Sequence, residues 1–212
     1  YKVKCLTHTL GRKNKPEDYE LAPGFVVVAV IPDVSKVNFE GRLTPKATLA
    51  GLKKIEKFLK KRISPFVRLK VLNPRYEMIN VKADIRFREG INEAFYVKQL
   101  EKDVESFLAP WTTGSNDQIS FGGIVAKSAI IKFIENLSYI RYIKNFEMDT
   151  GEQGLIVIPK EEIIPKTARS ILTSGKHSFT VISTDETHIN NRSEEMKGLG
   201  YATLNSGSWM IG

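Results

Sequence analysis

The sequence is poor in the residues from which most chemistry is built. Cys5 is the single cysteine among 212 residues, so no internal disulfide can form. A lone thiol fits a chain that folds in a reducing compartment, and synthesis and assembly in the cytoplasm are the expectation. No apolar run approaches the roughly 20 residues of a membrane span. The longest candidates are residues 25–31 and 155–158. His8, His177 and His188 lie far apart and outside any H-x-x-x-H, H-E-x-x-H or cysteine-rich spacing, so the pattern of a zinc site is missing. No G-x-S-x-G elbow presents a serine, and Cys5, with only His8 nearby as a base, is expected to be a small buried or half-buried apolar residue. The carboxylate pairs Glu161/Glu162 and Glu194/Glu195 are adjacent in sequence, so on a regular element they point apart and read as solvated surface. Neither phosphate-binding glycine pattern occurs. Gly122-Gly123, ahead of a predicted helix, is either an anion-binding nest or a tight strand-to-helix turn. The expectation is a protein without catalytic residues, cofactor or metal. It has no internal repeat and no low-complexity tract.

What is abundant is positive charge. The net charge is +8. Between positions 53 and 70, eight cations (Lys53, Lys54, Lys57, Lys60, Lys61, Arg62, Arg68, Lys70) face the single anion Glu56, a local balance of +7. Such a concentration draws in nucleic acid, an anionic membrane or an acidic protein surface without choosing among them. Lys53, Lys57, Lys60 and Lys61 lie off the apolar stripe of their helix and form the candidate interface. Sheet-based nucleic-acid binders also show aromatics on the exposed strand face, whereas that face here is expected to carry Asn80, Lys82, Asp84 and Arg86. A solvated or protein-facing surface is therefore preferred. The alternative is a ferredoxin-like nucleic-acid-binding module using the basic helix 45–63.

Periodicity predicts an α+β protein. Residues 1–24 mix charge with Pro16 and Pro23 and read as a lead-in with one short strand. Residues 25–31, FVVVAVI, are β-branched and stopped by Pro32, as in a central strand covered on both faces. Thr44-Pro45 reads as a cap followed by proline at the first helical position, and Leu52, Ile55, Leu59 and Ile63 recur at helical spacing to residue 63. Val67, Leu69 and Val71, the turn Asn73-Pro74-Arg75, and the alternating run from Ile79 to Phe87 predict a hairpin with one wet face. Asn92 caps a second helix with the stripe Val97, Leu100, Val104, Phe107 and Leu108, and Pro110 lies past its end. A third helix turns Ile130, Phe133, Ile134 and Leu137 inward, and a strand follows near 139–148. This order predicts a ferredoxin-like split βαβ sandwich over 25–150. Short strands at 155–158 and 179–182 and an extended docking tail complete 151–212.

Several stretches together resemble one family. They are VIPD at 30–33, RISPF at 62–66, VLNPRYE at 71–77, FLAPW at 107–111, FGG at 121–123 and YIRYI at 139–143. In this order they are similar to the J-like baseplate wedge proteins of contractile phage tails and phage-tail-like extracellular contractile injection systems. The resemblance runs from about 25 to 180 and matches the C-terminal region of those larger proteins, which agrees with a sequence that opens on Tyr1 rather than methionine. It implies a structural role without catalysis. Partners would be other wedge copies, including a second J-like copy or paralogue, and the hub and sheath-proximal proteins of a particle that can be released from the cell. Trp111 and Phe121, large apolar groups near loop ends, join the candidate interface on this basis. The polar tail after Ser183 departs from the family pattern.

Overall fold

The computed structural model describes residues 2–11, 18–33, 41–113, 119–151 and 160–182. The expected strand at 155–158, most of the polar loop before Ile119 and the docking tail after 183 lie outside them.

The first sheet is built on Phe25–Ile31 (β2). Lys2–Thr7 (β1) pairs with it antiparallel on one side, and Arg68–Leu72 (β3) pairs parallel on the other. The position of β2 between two strands accounts for its unbroken apolar sequence: Val28 and Val30 point to one face while Val27, Ala29 and Ile31 are buried on the other. Parallel pairing requires a crossover, which the helix Leu49–Lys60 (α1) supplies. Leu52 and the flanking Ile55, Leu59 and Ile63 cover Val28, Val30, Leu69 and Val71.

The second sheet is centred on Arg75–Phe87 (β4), with Ile140–Asp149 (β6) antiparallel on one side and Ser170–Val181 (β8) parallel on the other. Glu93–Leu108 (α2) and Lys127–Glu135 (α3) seal one face. Leu100, Val104, Leu108, Ile130 and Ile134 meet Ile79, Val81, Ala83, Ile85 and Phe87 in the largest core cluster. Val125–Ala126 (β5) leads directly into α3 and pairs antiparallel with Glu162–Ile163 (β7), a two-stranded ribbon that holds the start of the helix through Lys127 N–H donating to Glu161 O at 2.8 Å. A second cluster joins the two sheets. Ile31 of β2 and Ile171 of β8 pack with Ala109, Trp111 and Ile119, the last three from the connection after α2.

The α+β class stands, and the three helices fall where periodicity placed them. The connectivity differs from a split βαβ sandwich, because β3 and β4 do not pair. Asn73-Pro74 passes the chain from the first sheet to the second, so the expected hairpin is a crossing between sheets. Alternation reveals which face of a strand is wet, not which strand lies beside it. The α1 start also shifts. Asn73 holds Ala47 through both amide atoms, at 2.8 and 3.0 Å, so residues ahead of 48 stay extended. Thr48, not Thr44, then caps the helix through Gly51 N–H. Both flanks of the 25–150 span contribute strands to its sheets, β1 from before it and β8 from beyond it.

Candidate docking surface on the basic helix

α1 turns its apolar stripe inward, and the same geometry sets Lys53, Lys57, Lys60 and Lys61 outward, all exposed. The four do not share one fate. Lys60 Nζ lies 2.5 Å from Glu56 Oε1, an i,i+4 pair, and Val71 N–H donates to the other carboxylate oxygen at 3.4 Å. The Lys60 contact is the main reason the Glu56 carboxyl titrates below the ordinary range, partly opposed by its burial. The only anion of the stretch is thus taken by one lysine and a strand backbone. Lys53, Lys57 and Lys61 stand four residues apart along one face and make no ion pair among the described residues.

The C-terminal end of the helix adds aromatic rings, which charge counting passes over, beside two of the counted arginines. Arg62 lies with its guanidinium 3.7 Å from the Phe58 ring centroid and donates through Nη1 to Phe58 O at 3.0 Å. Arg68 lies 5.3 Å over the Phe25 ring. Phe66, in the turn between them, is 88% exposed. The spacing of Phe58 and Arg62, i and i+4 on a helix, is the sequence signal that would have found the first pair.

Trp111 and Phe121 are held elsewhere. Trp111 is 2% exposed in the inter-sheet cluster, and its Nε1–H donates to Arg42 O at 2.9 Å. Buried in this way, its ring fixes the joint between the sheets and offers no surface to a neighbour. Phe121 is half-buried at the rim of the same cluster, with the Lys4 ammonium 5.6 Å from its ring centroid. The structure brings these two together but joins neither to the lysines.

The remaining candidates are dispersed. Cys5 is exposed on the outer side of edge strand β1, not buried as expected, because an edge strand with alternating side chains leaves one face to solvent. His8 is exposed in the turn after β1, with φ 55°. His177 is held in β8. Its Nε2 shares a 2.7 Å hydrogen bond with Ser174 Oγ, its Nδ1 is buried with no partner among the described residues, and burial lowers its pKa to about 4. Glu161 is solvated and pairs with Lys127 at 2.9 Å. Gly122, with φ 71°, makes a turn in which its N–H donates to Ser170 O at 3.0 Å. β5 separates that turn from α3, so the glycine pair does not sit at a helix N-terminus. Arg86, expected on the wet face of β4, is buried and donates to Ile182 O at 2.7 Å. Among the described residues, no three His, Cys, Asp or Glu side chains are grouped to hold a metal, and no helix is long and apolar enough to cross a membrane.

Two sheets with helices on their faces and a basic, aromatic-edged outer helix define an α+β protein whose most pronounced surface feature suits association. The family described as "Baseplate protein PVC11-like" matches residues 21–161, and the chain belongs to that family. Among solved structures, a chain of the sixfold-symmetrised cryo-EM structure of the anti-feeding prophage (AFP) baseplate is similar at 17% identity with a TM-score of 0.49. The likeness covers 72% of this chain and 29% of that one, so the sequence spans less than a third of the longer chain. No curated protein matches.

Proposed function

We propose that this chain is a J-like part of the baseplate wedge of a contractile injection system or phage tail. Copies pair with each other or with a paralogue, join around a central hub beneath the sheath, and are assembled in the cytoplasm. The single observation that carries this reading is the PVC11-like match across residues 21–161. The protein acts by association rather than catalysis. The core over 25–150 gives a stiff body, the tail over 184–212 supplies further docking, and the lysines of α1 that make no ion pair among the described residues meet a neighbouring subunit.

The test is charge reversal in assembling particles. Lys57→Glu with Lys61→Glu touches two exposed side chains and should leave the melting temperature within about 2 °C, since surface changes rarely exceed about 0.5 kcal/mol. Particle yield in electron micrographs should fall severalfold. Unchanged yield and morphology would remove α1 from the assembly contacts. A nucleic-acid reading rests on the +7 stretch and on nothing else. Salt-dependent, sub-micromolar binding of a labelled oligonucleotide by the protein would promote it.

A further inference from the structure

Resting on the baseplate reading, we infer that the α1 corner is a knob for an acidic socket: Phe66 enters an apolar pocket of a neighbouring baseplate subunit, and carboxylates around that pocket meet Arg62, Arg68 and the Lys53, Lys57, Lys61 row.

A single exposed phenylalanine is ordinary on a protein surface. Phe66 differs in its mounting and its company. Its turn is fixed before any partner arrives, because Val67 N–H donates to Ser64 O at 3.0 Å, Phe66 N–H reaches Ser64 Oγ at 3.4 Å and Pro65 has a locked φ. The first strand residue beyond the turn is tied to the residue that leads into the neighbouring strand β2 by Arg68 N–H donating to Gly24 O at 2.8 Å. With the backbone held this way, only the two side-chain torsions of Phe66 remain to be ordered on binding. Aromatic and arginine side chains that fill pockets of the partner are the usual anchors of protein interfaces.

The chemistry of the partner follows from the surrounding groups. Arg62 and Arg68 are spread over Phe58 and Phe25, which orients the planar guanidinium groups and leaves N–H edges for carboxylate oxygens. The row Lys53, Lys57, Lys61 sets like charges at i,i+4, which costs a helix a few tenths of a kcal/mol per pair. Glu56, the only carboxylate within reach in sequence, is already held by Lys60 and Val71. An acidic surface would relieve the repulsion. A polynucleotide fits less well, because successive bases need successive open rings, and with the Phe58 face covered by Arg62 the corner offers only Phe66.

The test places a photoreactive benzoylphenylalanine at position 66 of the full-length protein, in particles purified after assembly. Irradiation and peptide mass spectrometry are expected to yield a cross-link to another baseplate protein, at a segment with net negative charge. Phe66→Ala in otherwise native protein should lower its incorporation into particles about tenfold, while its solution melting temperature stays that of the parent. Cross-links to nucleic acid, to the same chain, to a neutral or basic segment, or to nothing would overturn the inference. So would Phe66→Ala protein that incorporates normally. If the parent protein is absent from purified particles, the baseplate reading itself fails; if it is present and position 66 finds no acidic neighbour, only the knob fails.

Discussion

At the scale of single residues, the sequence hides its most consequential polar side chains among strand residues. Ser170, Thr173 and Ser174 are buried, which makes the first half of β8 read as a polar stretch. Each is satisfied inside: Ser170 by Thr167, Thr173 by Leu43 O and Ser174 by His177. Only the more apolar end of β8, from 179 onward, was legible as strand. His177 is the member with a measurable signature. Its folded-state pKa of about 4 lies below the 6.5 of an unfolded chain, so the native state resists protonation. Between those two values the unfolded state binds more protons, and stability must rise with pH across that window and be fully present above it. The shift corresponds to at most roughly 3 kcal/mol, and less with partial solvent access. His177→Gln should flatten the dependence of melting temperature on pH between about 4 and 6.5 relative to the parent. Parallel pH profiles for the two proteins would show that His177 is not the group responsible.

Among the elements, local signals and non-local pairing parted company. Asn92 was readable as a cap and is one, its Oδ1 accepting Phe95 N–H at 3.1 Å. Thr44 looked equally suitable and is not, because the force that sets the α1 start comes from Asn73, 26 residues away, gripping Ala47. Caps declare themselves in four or five residues; a side chain that overrides one does not. The outward lysines were legible for the same local reason, since the apolar stripe fixes which face is wet. The Phe58, Arg62 and Phe66 corner was not, because its shape depends on a turn packed against the start of β2. In β6, Asn145 adopts φ 49° at a bulge where two residues, Asn145 and Phe146, face Ala83 alone, and it binds Asp84 at 2.7 Å. Alternation carried no hint of that inserted residue. The capping assignment is open to direct test. Thr48→Ala should destabilise the protein by about 1 kcal/mol, whereas Thr44→Ala should leave the helix start unaffected. Urea denaturation of the two variants followed by circular dichroism separates them, and a loss in Thr44→Ala with none in Thr48→Ala would return the cap to Thr44.

The whole molecule depends on how its two sheets are fastened. The Trp111 cluster supplies the apolar joint, and a charged clasp supplies the second. Asp18, in the chain between β1 and β2, is almost wholly buried and receives Arg169 through Nε at 2.5 Å and Nη2 at 3.0 Å, with Arg75 at 3.3 Å. Arg169 also donates to Asn73 O at 2.9 Å, and Glu20 accepts Ala168 N–H at 2.8 Å. One carboxylate of the first sheet's connection thereby meets the starts of β4 and β8 in the second, 151 residues apart in the case of Arg169. Segments outside the 25–150 span are therefore wired into it, which composition could not reveal because ion pairs at such separation leave no periodic trace. Removing one partner of a buried pair strands the other's charge, at a cost of about 3–5 kcal/mol. Asp18→Asn preserves the side-chain shape while removing the charge that faces two guanidinium groups, so a loss of that order is expected in urea unfolding. Trp111 fluorescence, read in a Trp209→Phe background, reports the joint, and circular dichroism reports both sheets. In the parent the two signals should change together as one transition. In Asp18→Asn both midpoints should fall, and Trp111 should lead, because the clasp and the cluster bridge the same seam. A loss below about 1 kcal/mol would show that the apolar joint holds the sheets alone.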